Sequence, residues 1–301
     1  MKVKLEEVYN LVFEGGGAKG FAYPGAYAEA VKQGLDPLRV KAVAGASAGA
    51  IQAMFVALGY SPREQIRLMM EYNWNEFFDD KFGVVRDSAN LINEMGWHPG
   101  QVALEFFESC VEEKLGNHRA TFIDLLEETG IRLVVVVCHA GTRLPRMMSV
   151  DTTPDVAIAD AVRASMAIPF LFEPMEIDGR KYIDGGVSLN FPLTCFDRDG
   201  KKNSHTLGFR ADTTEEIAYF REGIEPEPKD DPENVWDMVP VVLGAYSKAQ
   251  DIAHYQANEQ WRTVYIDTEE VGMLDFGLCE LQKGHMIQCG RVGVLQFVEG
   301  M

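Results

Sequence analysis

The chain has little that marks a membrane-spanning, disulfide-stabilised or zinc-stabilised protein. No apolar run in its 301 residues approaches the roughly 20 residues that a membrane-spanning helix needs. The five cysteines are widely scattered and show no CxxC spacing, so they predict neither a disulfide framework nor a zinc site. Buried free thiols in a reducing compartment are the simplest interpretation of such cysteines.

The start of the chain also lacks the pattern of a secretory signal. Residues Met1 to Glu7 are charged, and the apolar segment that follows is only about six residues long, shorter than a signal-peptide core. We therefore expect a protein that is cytoplasmic, or secreted without a cleavable signal peptide. Any contact with lipid is then expected to be peripheral, at a membrane or micelle surface.

Basic residues are scarce relative to acidic ones. The 28 lysines and arginines stand against 46 aspartates and glutamates, which gives a formal net charge of −18 at pH 7. Nucleic-acid phosphates would be repelled by such a surface, so we expect no nucleic-acid partner. Charge alone would not hold the protein on anionic lipid either. Lipid contact should come through an apolar surface, a local basic patch or another protein, such as an activator.

Apolar runs of strand length alternate with helical patterns along the chain. Val8 to Phe13 and Val40 to Ala44 are predicted strands, and Ala22 to Gln33 between them is a predicted helix. Ile131 to Cys138, with four consecutive valines, is the clearest strand. This alternation predicts an α/β fold with a mostly parallel central sheet that is covered on both faces.

We expect one domain over residues 1–301. Glu225 to Asn234, with three prolines and five acidic residues, is the best candidate for a linker or surface loop. The segment is unconvincing as a domain boundary, because the strand-like Thr263 to Ile266 follows it and must join a sheet. No internal repeat is present.

The first motif with chemical meaning is Gly45-Ala46-Ser47-Ala48-Gly49, a G-x-S-x-G at a predicted strand-to-helix junction. Glycines on both sides of the serine permit a sharp, strained turn that presents its hydroxyl above the sheet edge. The serine then also lies at a helix N-terminus, where free N–H groups favour developing negative charge. Ser47 is therefore a candidate nucleophile, with Gly45 and Gly49 forming its elbow.

The second motif, Gly15-Gly16-Gly17-Ala18-Lys19-Gly20, has two interpretations. It fits the G-x-G-x-x-G dinucleotide-binding pattern, but the strand that follows does not end in the required acidic residue, and Asp36 lies ahead of that strand. The alternative is a loop whose backbone N–H groups converge on an oxyanion. We favour the oxyanion loop. Lys19 either adds positive charge near the site or is an ordinary lysine at a helix start.

The third motif is Asp184-Gly185-Gly186, which on its own would be read as a turn. Asp184 becomes a candidate functional residue because the other two motifs occur in the same chain. A conventional catalytic triad would also need a histidine, and none is well placed by its sequence context. The six histidines are His98, His118, His139, His205, His254 and His285.

With these motifs the chain resembles the patatin-like phospholipases. The resemblance includes the glycine loop, the serine elbow and Asp184-Gly185-Gly186, and also the stretch from Arg163 to Pro169 that leads to Phe172-Glu173-Pro174. These four motifs occur in the family's order and cover about residues 8–195, while the C-terminal part is unmatched. One departure is Gly186, where many members of the family carry alanine.

The resemblance implies a three-layer α/β/α fold and a Ser–Asp dyad that works without histidine, catalytic metal or cofactor. In that case Ser47 attacks the ester carbonyl, and Asp184 accepts its proton and later activates water. Backbone N–H groups around Gly16, Gly17 and Ala18 stabilise the oxyanion. The substrate implied is a glycerophospholipid or another fatty-acyl ester, cleaved in the manner of a phospholipase A.

An aromatic-rich helical region at about residues 60–130 is a candidate cap over this site. It opens with Ser61-Pro62-Arg63-Glu64, a helix start with a capping box. We hypothesise that Trp74, Phe77 and Phe78 line or gate the acyl path, although ordinary core positions are the simpler interpretation of such residues.

Two other functions stay open at this point. A conventional α/β-hydrolase acting on small esters would use a downstream histidine such as His285. A nucleotide-binding regulatory protein would use the loop from Gly15 to Gly20. Labelling of Ser47 by a fluorophosphonate would separate the hydrolases from the binding protein.

Overall fold

The computed structural model describes residues 2–77, 96–226, 235–256 and 258–300, and Phe78 lies outside these ranges together with most of the predicted loop at 225–234. The strands are β1 (Asn10–Phe13), β2 (Ala42–Ala46), β3 (Gly96–His98), β4 (Arg132–His139), β5 (Leu144–Ser149), β6 (Phe170–Phe172), β7 (Met175–Ile177), β8 (Arg180–Asp184), β9 (Thr206–Asp212) and β10 (Thr263–Asp267). The helices are α1 (Tyr23–Lys32), α2 (Ala48–Ala57), α3 (Pro62–Glu71), α4 (Gln101–Leu115), α5 (Phe122–Thr129), α6 (Ile158–Ser165), α7 (Thr214–Glu222), α8 (Val235–Gln256) and α9 (Glu280–Glu299).

The central sheet has the strand order β10-β9-β1-β2-β4-β8-β7, and β5 pairs with β4. Strands β10, β9, β1, β2 and β4 run parallel to their neighbours, whereas β5 and β8 are antiparallel to β4, and β7 is antiparallel to β8. Strands β3 and β6 form a separate parallel pair. The helix-flanked, mostly parallel sheet confirms the predicted fold class. No helix within the described ranges is long and apolar enough to cross a membrane.

Alternate side chains of the central strands enter apolar clusters on opposite faces of the sheet. Leu11 and Phe13 of β1 join the larger cluster, which also contains the buried residues of α1, α2 and α9. Val12, between them, joins a smaller cluster with Ala44 that is covered by residues 191–196. Because both faces are buried, these strands read as continuous apolar runs in the sequence.

The register of β4 explains how two distant residues come together. Ala46, the last residue of β2, is paired with Val136 of β4, and Asp184, the last residue of β8, is paired with the adjacent Val137. Ser47 follows Ala46 directly. The ends of β2 and β8 therefore flank β4 at neighbouring residues, which brings Ser47 close to Asp184.

Most of the predicted elements are present, but β3, β6, β9, α7 and α8 were not predicted, and β3 lies within the region of about residues 60–130 that was expected to be helical. Strand β9 lies in the middle of the sheet between β1 and β10, and all seven of its residues are buried. Its sequence includes Gly208, Arg210 and Asp212, and such residues are more typical of a loop than of a buried strand. Arg210 and Asp212 are tolerated there because they form an ion pair with each other.

Candidate active site

The Ser47 turn is a strained elbow between β2 and α2. Ser47 has φ 51° and ψ −126°, a backbone conformation that non-glycine residues rarely adopt. A side chain at Gly45 would clash with the backbone of Gly49, and one at Gly49 would clash with the carbonyl of Phe13. The predicted elbow glycines therefore allow the close approach that this turn needs.

Ser165 holds the elbow from the neighbouring helix and was not predicted to have a role. The backbone N–H of Ser47 donates a hydrogen bond to Ser165 Oγ at 2.8 Å. The Ser165 hydroxyl in turn donates to the carbonyl of Val136 at 2.6 Å, and Ser165 is fully buried. The only sequence signal was its place in the stretch from Arg163 to Pro169.

The structure brings Ser47 and Asp184 into direct contact. The Ser47 hydroxyl donates to Asp184 Oδ2 at 2.6 Å, while the N–H of Gly186 donates to Asp184 Oδ1 at 2.6 Å. Both side chains are buried. Burial raises the pKa of Asp184 to about 7, against the opposing effect of the hydrogen bonds from Ser47 and Gly186.

The glycine loop turns next to Ser47 and leads into a 3-10 helix at Gly17–Ala22. Among the described residues, no acceptor receives the backbone N–H of Gly16 or Gly17. Ala18 differs from the expectation, because its N–H donates to the carbonyl of Met273 at 2.9 Å. In this structure Ala18 is therefore not available as an oxyanion donor.

Gly17 needs to be glycine for two reasons. Its φ of 54° lies in the left-handed region, and a side chain there would clash with the carbonyl of Met273.

The other glycines of the loop pack closely against their neighbours. Gly15 makes two hydrogen bonds with Asn190, whose backbone carbonyl accepts the Gly15 N–H at 3.0 Å and whose side chain donates to the Gly15 carbonyl at 3.0 Å. Gly20 lies against the side chain of Ala48.

Lys19 is buried and ion-paired rather than exposed. Its Nζ donates to Glu216 Oε2 at 2.6 Å. Burial alone would lower the pKa of Lys19, but attraction to Glu216 and Asp212 outweighs it, so the pKa lies above its ordinary value. The carboxylate of Glu216 therefore offsets the positive charge that Lys19 was expected to bring to the site.

A buried ion network continues from the glycine loop to α8. Arg210 forms ion pairs with Asp212 at 2.6 Å, Asp251 at 3.0 Å and Glu14 at 3.5 Å. Burial raises the pKa of Glu14 well above its ordinary value, although Arg210 opposes the shift. Burial likewise raises the pKa of Asp251 to about 6. The network joins the residue before the glycine loop to the helix that carries Asp251.

Helix α8 also contacts the loop that follows Asp184. The side chain of Gln250 donates to the carbonyl of Gly186 at 2.9 Å and accepts the backbone N–H of Asn190 at 2.8 Å. Gln250 and Asp251 are adjacent, so one turn of α8 contacts both the Asp184 loop and the ion network.

Two cavities open on different sides of Ser47. The first has about 650 Å³ of empty space, part of it open to solvent, and its lining is strongly apolar. Trp74 and Phe77, two of the three aromatic residues proposed for the acyl path, line it and are also buried core residues. Other lining residues are Phe21, Ile51, Phe55, Met69, Phe172 and Phe276.

The second cavity lies between Ser47, Asp184 and helix α8. It has about 640 Å³ of empty space, also partly open to solvent. Val242, Tyr246 and Ser247 of α8 form one of its walls. None of the six histidines, all within the described ranges, lines either cavity or bonds to Ser47 or Asp184.

Comparison with known proteins agrees with this geometry. A family model for patatin-like phospholipases matches residues 11–197. An uncharacterized protein of Acanthamoeba polyphaga mimivirus is 28% identical over 299 residues, which cover 98% of this chain and 95% of that protein. A probable lipid hydrolase of invertebrate iridescent virus 6 is 28% identical over 191 residues, 61% of each chain.

A solved structure shares the fold across nearly the whole chain. VipD from Legionella pneumophila matches with a TM-score of 0.63 at 20% identity, covering 98% of this chain and 67% of that one. The likeness extends beyond residue 197, where the family model ends. At this identity it shows the fold.

Proposed function

This chain belongs to the patatin-like phospholipase family, and from that membership we propose that it is a lipid acyl hydrolase. In this proposal it cleaves fatty-acyl esters of glycerolipids in the manner of a phospholipase A. Ser47 is the nucleophile, Asp184 is the base, and the reaction needs no metal or cofactor. The name of its relative from invertebrate iridescent virus 6, a probable lipid hydrolase, supports the substrate class.

The contact between Ser47 and Asp184 is the observation that carries this proposal. At 2.6 Å from Asp184 Oδ2, the serine hydroxyl is within reach of the base that would accept its proton. An ordinary aspartate is a weak base at neutral pH, but a pKa of about 7 suits Asp184 to proton transfer under those conditions.

The proposed sequence of steps follows from these positions. Ser47 Oγ attacks the ester carbonyl as its proton moves to Asp184, and the resulting oxyanion lies next to the N–H groups of Gly16 and Gly17. Collapse of the tetrahedral intermediate expels the alcohol, which takes the proton from Asp184. Water, activated by Asp184, then hydrolyses the acyl-Ser47 ester and releases the fatty acid.

The two cavities suggest how the substrate lies. The apolar cavity beside Trp74 and Phe77 would hold the acyl chain that is cleaved, since it is lined by large apolar side chains. The cavity beside α8 would hold the alcohol part of the lipid, because Asp184 lies in its wall and protonates the leaving alcohol. Substrate would be drawn from a membrane or micelle by peripheral contact.

Release of fatty acid from phosphatidylcholine vesicles tests the proposal, with a chelator present throughout. Ser47→Ala and Asp184→Asn should each lower the rate by at least about 10³-fold. Ser109→Ala and Asp151→Asn serve as matched controls away from the site and should retain activity. Retained activity in Asp184→Asn would exclude the dyad and return attention to a histidine triad.

An inactive wild type on these vesicles would be followed by triacylglycerol emulsion and by added cell extract, which test for another lipid class and for a protein activator. Reaction of Ser47 with a fluorophosphonate in the same preparation would show that the nucleophile is formed. Failure of labelling together with failure on every lipid would exclude the hydrolase.

The pH profile gives a second test. Asp184 must be ionised to accept the serine proton, so the rate should rise with pH through about 7 and level off above it. A rate that levels off near pH 4, the ordinary range of an aspartate, would mean that burial does not set the base strength of Asp184.

A further inference from the structure

A second cluster of chemically reactive side chains lies where α9 packs beside the segment that follows β10. It consists of Glu269, His285 and Cys289, none of which lines either cavity at Ser47. One carboxylate oxygen, one ring nitrogen and the thiol sulfur of these residues all lie within 4.8 Å of one another. Glu269 Oε1 is 3.0 Å from His285 Nε2.

The backbone brings these three side chains together. His285 and Cys289 are four residues apart on α9, so they lie one above the other on one face of the helix. Glu269 has its backbone fixed on both sides, because its N–H donates to Asp267 Oδ1 at 2.8 Å and its carbonyl accepts the N–H of Thr214. The backbone of Glu269 is thereby fixed beside α9, and its carboxylate contacts His285.

Thiolate, imidazole and carboxylate together are ligands of Zn²⁺. In a tetrahedral zinc site the ligand atoms lie about 3.3–3.6 Å apart, as bond lengths of about 2.0–2.3 Å require. The separations in this cluster, from 3.0 Å to at most 4.8 Å, need only small side-chain movements to reach that spacing. We propose that Glu269, His285 and Cys289 bind one Zn²⁺ ion, with water as the fourth ligand.

Charge and exposure suit the site to a dication taken up from solution. One thiolate and one carboxylate balance the two positive charges of Zn²⁺, and binding releases the thiol proton to solvent. His285 and Glu269 are half exposed, which leaves an entry path and room for the water ligand. Cys289 is buried beneath them.

The ion would connect helix α9 to the segment that follows β10. Glu269 lies at the start of the segment that carries Met273 and Phe276, which contact the glycine loop and the apolar cavity respectively. The other two ligands lie on α9. Zn²⁺ therefore fastens this segment to α9 and has no part in the proposed hydrolysis.

Metal binding by the full chain tests this site without any activity measurement. Protein stripped with a chelator and exchanged into metal-free buffer should take up one equivalent of Zn²⁺ in competition with a chromogenic chelator, and its Tm should rise on binding. Co²⁺ in place of Zn²⁺ should give an intense thiolate-to-metal absorption band, which reports the Cys289 ligand directly.

Substitutions identify the ligands. His285→Gln, Glu269→Gln and Cys289→Ala should each weaken Zn²⁺ binding by at least about 10-fold, and Cys289→Ala should also abolish the thiolate band. The first two change half-exposed side chains, so they should fold normally. Cys279→Ala and Glu280→Gln, at the start of the same helix but outside the cluster, are the matched controls and should bind as the wild type does.

The proposal is overturned if wild type binds no Zn²⁺ at micromolar concentrations. It is equally overturned if binding survives His285→Gln and Glu269→Gln unchanged, or if the Co²⁺ complex lacks the thiolate band. These results do not depend on whether the chain hydrolyses lipid, so they leave the proposed function to its own test.

Discussion

The two parts of the chain that meet at Ser47 contribute to the site in different ways. Within residues 11–197, backbone conformation and sheet register fix the positions of Ser47 and Asp184. Beyond residue 197, Gln250 of α8 contacts the loop after Asp184 through its side chain, and the carbonyl of Met273 accepts the N–H of Ala18 in the glycine loop. The first part thus sets the reacting geometry, and the second forms walls and supports around it.

This difference explains why motifs are concentrated in the first part. An elbow with a positive φ and close backbone approach accepts few residue types, so it leaves a readable pattern of glycine and serine. A supporting contact such as that of Gln250 can be made by several polar side chains from several positions. Such contacts give no fixed spacing, and the part of the chain that uses them carries no motif.

The largest expected effect comes from breaking the ion network that joins the two parts. Arg210→Leu leaves the carboxylates of Glu14, Asp212 and Asp251 without their central cation in a buried setting. We expect a loss of about 3–5 kcal/mol in the free energy of unfolding at pH 8, measured with urea. The loss should shrink toward pH 5, because Glu14 and Asp251, whose pKa values are raised by burial, can then take up protons.

The exposed ion pair of Arg132 and Asp151 provides the control for that measurement. Arg132→Leu removes a pair whose side chains are 39% and 54% exposed, so it should cost less than about 1 kcal/mol. Equal losses for Arg210→Leu and Arg132→Leu would show that the buried network contributes no more to stability than an exposed ion pair.

The second effect concerns the cost of keeping a base buried in the first part. The pKa of Asp184 is about 7 in the folded chain and near 3.8 in the unfolded one, so between these values the folded state binds more protons. Stability therefore falls as pH rises from about 4 to 7. Asp184→Asn should remove this penalty and raise the free energy of unfolding at pH 8 by at most about 4 kcal/mol.

Unfolding in urea at pH 5 and pH 8 measures this gain, with Asp151→Asn as the matched exposed control. The gain from Asp184→Asn should be larger at pH 8 than at pH 5. A gain that does not change with pH would mean that Asp184 ionises at its ordinary pKa.

The third effect isolates the support that α8 gives to the Asp184 loop. Gln250→Leu keeps the side-chain size but removes both hydrogen bonds, to Gly186 and from Asn190. We expect about a 10-fold loss in kcat on a soluble short-chain ester, with little change in Tm, because the loop shifts without unfolding. Lys248→Leu, exposed on the same helix, should not change kcat.

The smallest effect distinguishes the two cavities. Ile51→Trp fills part of the apolar cavity, so it should shift the preference from long to short acyl chains by about 5-fold. Val242→Trp narrows the cavity beside α8 and should leave the acyl-chain preference unchanged while slowing esters of bulky alcohols. The reverse pattern in a panel of nitrophenyl and glyceryl esters would exchange the roles assigned to the cavities.

The sequence predicted the fold class and the turn at Ser47 from strong local patterns, whereas the pairing of Ser47 with Asp184 was implied only by the resemblance to the patatin-like phospholipases, because Asp184-Gly185-Gly186 on its own reads as a turn. Four consecutive valines in β4 are typical of a buried strand, and the glycines around Ser47 are typical of a tight turn between a strand and a helix. Strand β9 was missed because Arg210 and Asp212 lie in a fully buried strand, where a network of buried ion pairs makes their charges tolerable. The partners of Arg210 that lie far away in the chain, Glu14 and Asp251, leave no trace in the local periodicity of β9.

The hydrogen bond from Ala18 to Met273 and the proposed zinc site were also missed, because neither arrangement is visible in a local stretch of sequence. Nothing near Ala18 in the sequence indicates that the carbonyl of Met273 will take its N–H. A search for CxxC spacing misses Cys289, whose companions are a histidine one helical turn away and a glutamate in a preceding loop. Folding creates both arrangements from residues that are far apart in the chain or that form no recognised motif.

The hydrogen bonds of the Ser165 hydroxyl bear on the order in which parts of the molecule fold. It connects Ser47 to Val136, across separations of 118 and 29 residues along the chain. Contacts between residues so distant in sequence form slowly. During refolding from denaturant, we therefore expect tryptophan fluorescence and helical circular dichroism to recover first, with reactivity of Ser47 toward a fluorophosphonate following as the last event.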